Sequence, residues 1–408
     1  MKTIIPVAAF ILCATSVLAE NWPCWRGPRG DGSSLESGVP TFWNAHSNIA
    51  WKVAVPGEGH SSPIVWGRRL FLTSALKETQ QRLLLGFDRD TGRLLWQQTV
   101  VTAPLEAKNA ENSYASATPA TDGENVYVTF LDRKEVVVAA YDFEGRQRWL
   151  ARPGEFYSQW GFSHNPNLFE DKVIVVCDSK GENFIAALDR ATGKTVWKVQ
   201  RDNPSQSYSP PLIRELAGRP QMVVAGNKTV TSYDPRTGKL LWVVEAPASD
   251  SVATPTFNEK AGLVLSCTSW PKRALLAIKP DGNGEVTQTH VAWTTTEGAP
   301  YVPSPISAGD WFFTSSYSTK EVHCYEATSG KVLWREKIGL CHASPVSANG
   351  LLYFLNDDGV TCVLKAGPQA EVVARNELGE KTYASPAISE GRVFLRGFTH
   401  LYCIGSRQ

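Results

Sequence analysis

The feature that most constrains this chain is a short turn motif that recurs along it. In the stretch AALDRATGKTVW, residues 186–197, an acidic residue is followed by Gly, and Trp stands four residues after that Gly. Four further copies with the same Gly-to-Trp offset lie at residues 84–96, 138–149, 230–242 and 322–334. A motif that returns at a fixed period indicates a repeat architecture, in which each copy belongs to one structural unit.

A second signal, a proline that enters a short apolar run, precedes each unit. Eight such prolines follow one another at spacings of 40 to 56 residues: Pro63, Pro119, Pro166, Pro211, Pro255, Pro305, Pro345 and Pro386. Between them, apolar and β-branched runs alternate with Gly, Asp and Asn turns, which is typical of short antiparallel strands. Four strands per unit at this period predict an all-β fold, an eight-bladed β-propeller of four-stranded antiparallel blades.

The two ends of the chain predict how the ring closes. The last unit, residues 383–408, ends after three strands, and an unpaired strand pattern with Trp51 stands at residues 48–55. We expect that N-terminal strand to complete the last blade, because a joined ring leaves no open sheet edge. Residues 20–47 then form an N-terminal arm, and residues 48–408 form the propeller.

The recurring turn motif could be a binding site or a corner of the fold. An EF-hand loop needs oxygen ligands at positions 1, 3 and 5, and DRATGK supplies only the first. Asp189 instead suits a turn that its carboxylate stabilises, and Gly193 suits positive φ. The tryptophans then dock between blades as large flat rings. The predicted docking residues are Trp51, Trp96, Trp149, Trp197, Trp242, Trp293 and Trp334.

The first residues predict export. Lys2, an apolar stretch and the ending Val17-Leu18-Ala19 form the pattern of a signal peptide, residues 1–19, cleaved after Ala19. We therefore expect a secreted or periplasmic protein. No later apolar run reaches the ~18 residues of a membrane span.

The composition of the remaining chain limits its partners. Of 41 basic and 40 acidic residues, only Lys2 lies in the signal segment, so the mature chain is balanced in charge, which argues against a nucleic-acid partner. Seven of the eight cysteines remain after cleavage; the number is odd, so at least one is free or pairs between chains. We expect a monomer.

These motifs resemble a known superfamily. The Asp-x-x-Thr-Gly-Lys-x-x-Trp unit is similar to the tryptophan-docking motif of the pyrroloquinoline quinone (PQQ) repeat propellers, which include quinoprotein dehydrogenases and BamB. The arm sequence NWPCWRGPRGDGSS, residues 21–34, resembles the WPxWRGPxxDG opening of secreted PQQ-like propellers of planctomycete type. Two interpretations of this arm stay open: a plug that packs along the propeller through Trp22 and Trp25, or a lid that binds a partner.

The resemblance also implies what a catalytic relative would need. Quinoprotein dehydrogenases hold Ca²⁺ beside PQQ through Glu and Asn, use an Asp as base, and in many cases carry a disulfide between adjacent cysteines. This chain has no adjacent cysteines, and no motif here matches the ligand set. GxSxG and HExxH motifs are absent as well, and fold alone does not carry function. We therefore expect a non-catalytic scaffold, without a cofactor or metal, that binds a protein, peptide or other ligand in the cell envelope. The alternative is a PQQ- and calcium-dependent alcohol or sugar oxidoreductase.

One set of polar aromatic residues precedes the blade prolines. His60, Tyr208, His342 and Tyr383 each stand three residues before such a proline, and Tyr114, Trp160, His164 and Tyr301 lie nearby. The loop that enters the innermost strand opens at the central channel, so these residues form either blade-start packing or a recognition funnel at one mouth. Basic residues of the turns on that face would favour an acidic ligand: Lys180, Lys228, Lys272, Arg273 and Lys320.

Overall fold

The computed structural model describes residues 19–202 and 205–406. These residues form eight sheets, each built on four antiparallel strands, arranged as an eight-bladed β-propeller. The predicted fold class is confirmed. Apart from Ala19, the predicted signal segment lies outside the described residues. The helix among the described residues is Thr287–His290, and none of them forms a helix long and apolar enough to cross a membrane.

The first four blades follow one another in chain order, with the innermost strand first. In blades one and two the strands are Ile64–Trp66, Arg69–Leu76, Gln81–Asp88 and Leu94–Thr102, then Ala120–Thr121, Asn125–Asp132, Glu135–Asp142 and Gln147–Ala151. In blades three and four they are Asn167–Phe169, Lys172–Cys177, Phe184–Asp189 and Thr195–Gln200, then Leu212–Leu216, Arg219–Gly226, Thr229–Tyr233 and Leu240–Glu245.

The last four blades keep the same order. In blades five and six the strands are Thr256–Asn258, Leu263–Thr268, Ala274–Ile278 and Val291–Thr295, then Ile306–Ala308, Trp311–Ser315, Glu321–Glu326 and Val332–Lys337. In blades seven and eight they are Val346–Ala348, Leu351–Leu355, Val360–Lys365 and Val372–Glu377, then Ala387–Ser389, Arg392–Arg396, His400–Ile404 and Ile49–Ala54. Two short strands add to blades seven and four in parallel: Ser33–Ser34 and Gly284–Glu285.

The ring is closed by the N-terminal strand, as the sequence predicts. Ile49–Ala54 pairs antiparallel with His400–Ile404, and Trp51 lies opposite Cys403. The outer strand of blade eight therefore comes from the start of the chain and the inner three from its end. This arrangement leaves no unpaired edge at the seam, which removes a template for aggregation.

A belt of hydrogen bonds ties the innermost strands together and explains the Ser and Thr residues before the blade prolines. Eight blades form eight junctions between neighbours. In six of these junctions, the residue before one blade proline donates its backbone N–H to a side-chain oxygen of the equivalent residue in the next blade, over 2.7–3.0 Å. Among these, Ser344 donates to Ser385, and Ser385 donates across the seam to Ser62. The belt is interrupted at Pro210, which has no N–H to donate.

The tryptophans pack against the glycine of the recurring turn in the following blade. A Cβ on Gly193 would lie 2.5 Å from a ring carbon of Trp149, and the glycine has φ of +72°. Only a residue without a side chain fits both conditions. The same relationship joins Trp51 to Gly92 in the neighbouring blade. The other pairs are Trp96 with Gly145, Trp197 with Gly238 and Trp293 with Gly330.

Trp242 and Trp334 are the exceptions to this arrangement. Blade five lacks the recurring turn, and the segment with strand Gly284–Glu285 pairs beside Trp242 instead. The indole N–H of Trp242 donates to Gln221 Oε1 at 2.7 Å, and the ring is fully buried. The indole N–H of Trp334 reaches the Gly367 carbonyl at 2.9 Å, while that of Trp149 reaches the Arg190 carbonyl at the same distance.

The N-terminal arm runs inside the central channel. Trp22 exchanges two backbone hydrogen bonds of 2.8 Å with Val65 of blade one, and Pro23 accepts from Thr121 of blade two. Arg26 donates to the carbonyls of Pro345 and Pro305, in blades seven and six. Since these contacts face the channel from different sides, the arm occupies the space between them. This placement corresponds to the plug interpretation.

The arm is also anchored at the turn between the first two strands of blade eight. The buried carboxylate of Glu36 accepts hydrogen bonds from the backbone N–H groups of Glu20, Glu390 and Gly391. Arg29 forms a two-bond ion pair with Glu20 over 2.7 and 2.9 Å. A buried carboxylate that accepts several N–H bonds is well compensated for its loss of water.

Candidate functional site

A cavity of about 310 Å³ opens at the mouth of the channel, where the loops enter the innermost strands. Its wall contains one residue from every blade, and each of these stands three positions before the blade proline. The eight equivalent residues are His60, Ser116, Ser163, Tyr208, Val252, Val302, His342 and Tyr383. The offset that the sequence analysis noticed in four blades thus holds in all eight.

Six of the eight residues expected at the mouth line this cavity: His60, Trp160, Tyr208, Tyr301, His342 and Tyr383. The other two, Tyr114 and His164, do not line the cavity. Tyr114 lies beside the guanidinium of Arg82, 5.3 Å from ring centroid to charge, and beside Lys108.

The position of His164 follows from its register. It stands two residues before Pro166, and successive side chains of an extended segment point to opposite sides. Its neighbours Ser163 and Asn165 line the cavity, whereas His164 is 4% exposed and packs against Phe156 at 4.7 Å between ring centroids. Burial lowers the pKa of His164 to about 4. It is a neutral core residue.

Apart from the imidazole of His342, the charged groups that line the cavity are acidic. Glu111 and Asp250 line it, and none of its described lining residues is Lys or Arg. The basic turn residues that favoured an acidic ligand lie elsewhere; Lys272 and Arg273 line a second cavity of about 570 Å³ beside blades five and six. The lining therefore reverses the sign of charge that the sequence suggested.

His342 joins two loops across the mouth. Its Nδ1 lies 2.9 Å from Asp357 Oδ2, and its Nε2 lies 3.5 Å from Glu111 Oε2. Burial by itself would lower the pKa of His342, but the hydrogen bond and charge of Asp357, with the charge of Glu111, outweigh burial and raise it. The imidazole is thus favoured in its protonated form, between two carboxylates.

His60 and Tyr383 form the adjoining part of the wall. The Tyr383 ring lies 4.4 Å from the His342 ring and 5.0 Å from the His60 ring, centroid to centroid. Burial, with the nearby charges of Arg396 and Lys108, lowers the pKa of His60 to about 3. His60 therefore contributes a neutral ring to the cavity.

Asp250 lies on the opposite part of the wall. Its carboxylate accepts a hydrogen bond from Ser249 Oγ at 2.9 Å, and no ion pair to it is formed among the described residues. Burial raises the pKa of Asp250, and the charge of Lys180 only partly offsets this effect. Burial also raises the pKa of Tyr208 and Tyr301, and the charge of Asp250 adds to both shifts.

The arm supplies part of the wall as well. Trp25 lines the cavity from the channel side, and its indole N–H donates to Thr254 Oγ1 at 2.9 Å. Thr254 is the belt residue that follows Pro210, so its hydroxyl receives no backbone N–H from the preceding blade. The interruption of the belt therefore leaves an acceptor that holds the arm in place.

Two loops with irregular structure complete the rim. Asn112 Nδ2 and the backbone N–H of Asn109 both donate to the Trp160 carbonyl, at 2.8 and 3.2 Å. The Trp160 side chain is 43% exposed at the rim. Asn109, Asn112 and Glu111 could not be predicted from the sequence, because the loops between blades carry no periodic pattern.

The mouth residues do not suit PQQ with calcium. Ca²⁺ takes roughly six to eight oxygen ligands, and no group of three or more His, Cys, Asp or Glu side chains within residues 19–202 and 205–406 is arranged so that it could hold a metal ion. PQQ itself is a polycarboxylate, and the carboxylates of Glu111 and Asp250 would repel it where no Lys or Arg lines the wall.

Fold and site together define a repeat propeller with a plugged channel and an aromatic cavity at one mouth. Residues 41–116, 80–336, 256–368 and 318–403 match the family described as outer membrane protein assembly factor BamB. The chain belongs to this family, whose match begins after the Trp-Arg-Gly-Pro segment of the arm.

Individual relatives are distant. The chain is 20% identical over 332 residues to BamB of Yersinia pestis, a match that covers 80% of this chain and 71% of that protein. It is 24% identical over 292 residues to the quinohemoprotein alcohol dehydrogenase ADH IIB of Pseudomonas putida, which covers 66% of this chain but only 42% of the dehydrogenase. The crystal structure of BamB from Moraxella catarrhalis superimposes with a TM-score of 0.62 at 16% identity, over 87% of this chain and 99% of that one. This structural likeness shows the fold alone.

Proposed function

We propose that this protein is a non-catalytic binding scaffold that captures a protein or other ligand at the mouth cavity. The observation that carries the proposal is the ring of one wall residue per blade. This ring brings eight loops together around a concave site whose wall includes five Trp and Tyr rings. Concave apolar sites with a few convergent polar groups are the usual form of ligand sites. Tyr and Trp present an apolar body with a polar tip, which suits recognition.

The relatives support a binding role in the cell envelope. The family is described as an outer membrane protein assembly factor, and its name implies contact with other proteins. A protein partner in the envelope and export through residues 1–19 are consistent with that description. We propose that the chain works there as a monomer without a resident cofactor.

Trp160 provides a direct test of the mouth. Full-length wild-type protein, Trp160→Ala and Trp270→Ala would be used to recover partners from the native envelope, and the recovered partner would then be purified and titrated. Trp270 is a matched control because it is also an exposed tryptophan, 62% against 43% for Trp160, but does not line the cavity. We expect Trp160→Ala to weaken binding by at least about tenfold, as for a central interface residue.

The result that would overturn the proposal is equal affinity of all three proteins for the partner. Circular dichroism and melting temperature of each variant separate a lost contact from a lost fold. Only the side chain of Trp160 is changed, so its carbonyl still receives the hydrogen bonds of Asn109 and Asn112.

The second candidate function is a PQQ-dependent oxidoreductase, favoured by the match to the Pseudomonas putida alcohol dehydrogenase. Incubation with PQQ and calcium, followed by gel filtration and a dye-reduction assay with alcohols and sugars, separates the two proposals. We expect no retained cofactor and no dye reduction. Retention of PQQ with substrate-dependent reduction would favour the oxidoreductase.

A further inference from the structure

We propose that the mouth cavity is selective for an organic ammonium group, either a free alkylamine or the lysine side chain of a partner protein. This inference rests on the proposed binding role and specifies its ligand chemistry. Aromatic ring faces attract cations, and they do so more strongly when the site excludes water. The cavity combines such rings with the carboxylates of Asp250 and Glu111, and none of its described lining residues is Lys or Arg.

The rings come from five residues that surround the same space: Trp25, Trp160, Tyr208, Tyr301 and Tyr383. They arise from the arm, from a rim loop and from three blade-entry loops, so no single motif brings them together. Tyr208 is held in position because its hydroxyl hydrogen-bonds Ser158 Oγ and its ring packs 5.6 Å from that of His164. Rings fixed in this way lose little conformational freedom when a ligand binds.

Asp250 supplies the negative charge on one side. It is half-buried, hydrogen-bonded to the Ser249 hydroxyl and without an ion pair among the described residues. A partly desolvated carboxylate in this state is stabilised by any cation that reaches it. The charge of Lys180 partly offsets the rise in the pKa of Asp250, but Lys180 does not line the cavity.

Glu111 supplies negative charge on the other side. It lies 3.5 Å from His342 Nε2, while Asp357 holds the other ring nitrogen of that histidine at 2.9 Å. His342 stands between these two carboxylates, so the group of three side chains has no net positive charge even when the imidazole is protonated. His60, the other imidazole of the wall, is neutral because its pKa is about 3.

Three probes of similar size but different charge test the inference: butylammonium, 1-butanol and butyrate, each titrated calorimetrically into full-length protein at low salt. We expect butylammonium to bind at least about tenfold more tightly than the neutral and anionic probes. N-acetyl-lysine amide distinguishes the two sources. Tighter binding of this amide than of butylammonium indicates a protein-borne lysine, and the reverse order indicates a free amine.

The carboxylates provide the matched variants. Asp250→Asn is expected to weaken butylammonium binding by about five- to tenfold, and Glu111→Gln, in an exposed loop, serves as a second variant if Asp250→Asn folds poorly. Asp310→Asn is the control, because Asp310 is an exposed carboxylate paired with Lys260 outside the cavity. Binding of butylammonium should be unchanged in this control.

Equal binding of butyrate and butylammonium, or unchanged affinity in both Asp250→Asn and Glu111→Gln, would overturn the ammonium inference. That failure is distinguishable from failure of the binding role. If Trp160→Ala still weakens partner capture while no ammonium probe binds, the scaffold proposal stands and its ligand chemistry is wrong.

Discussion

The backbone N–H of Ser385 donates to the hydroxyl of Ser62 over 3.0 Å, across the seam where the two ends of the chain meet. These two residues are 323 positions apart in the sequence, yet they occupy equivalent places before the prolines of blades eight and one. The bond continues the belt that joins the other innermost strands. The seam is therefore closed twice: by the belt of hydrogen bonds at the channel, and by strand Ile49–Ala54 at the outer edge of the propeller.

Ser62→Ala should destabilise the protein by about 1–3 kcal/mol, because the buried N–H of Ser385 would lose its acceptor. Urea unfolding measured by fluorescence gives the free energy directly. Ser318→Ala is the control: Ser318 is exposed and accepts a hydrogen bond from the partly exposed side chain of Arg273, so its change should stay within about 0.5 kcal/mol. Equal effects of the two substitutions would contradict a structural role for the belt.

Trp149→Ala should cost about 3–5 kcal/mol, as expected for a large side chain removed from a packed site. The ring is 9% exposed, packs against Gly193 and donates its indole N–H to the Arg190 carbonyl. Trp197→Ala should cost less, since that ring is less buried and its N–H forms no hydrogen bond within the described part of the chain. A larger loss for Trp197 in thermal unfolding would argue against docking as the source of stability.

The sequence predicts the propeller and the position of its mouth because both depend on local repeats. The offset of three residues before each proline identifies His60 and Tyr208 at the wall, and the same offset finds Val252 in a blade that has no aromatic residue at this position. His164 was expected at the cavity because its residue type resembles that of the wall residues. It stands two positions before its proline, however, whereas the wall residues stand three positions before theirs. A residue two places before the proline points into the blade.

Other parts of the site could not be predicted from local pattern. Glu111 and Asp250 lie in connecting loops, whose conformation depends on contacts between distant segments. The arm shows the same limit: its Gly, Pro and Arg residues indicate irregular structure, but its path depends on acceptors such as Thr254 and the Pro345 carbonyl. Pro210 is a local feature with a distant effect, since it leaves Thr254 free to hold Trp25.

Two truncations separate the roles of the arm and the closing strand. Removal of residues 1–56 deletes strand Ile49–Ala54 and exposes the edge of His400–Ile404, which should cause aggregation. Removal of residues 1–47 keeps that strand but empties the channel of Trp22 and Trp25. We expect this second protein to stay soluble with a lower melting temperature. Light scattering and calorimetry check both outcomes, and a soluble 1–56 deletion with unchanged melting would contradict closure by this strand.

The stability contributed by His342 should depend on pH. Its pKa is raised in the folded protein above the ordinary value of 6.5 for histidine, because Asp357 and Glu111 together outweigh the effect of burial. The folded state therefore binds the proton more tightly than the unfolded chain does. The resulting stability is fully present below the unfolded pKa and is lost as pH rises through the folded pKa.

His342→Gln removes the titrating group, so comparison with the wild type gives the contribution of His342 to stability at each pH. The free energy of unfolding of the wild type should exceed that of the variant by more at roughly pH 5.5 than at roughly pH 8.5. Asp357→Asn should reduce the same pH dependence, since the Asp357 carboxylate lies 2.9 Å from His342 Nδ1 and stabilises the protonated imidazole. His46→Gln, at an exposed histidine in the arm, should leave the profile of the wild type unchanged. A difference between wild type and His342→Gln that grows as pH rises would mean that burial, and not the two carboxylates, controls this histidine.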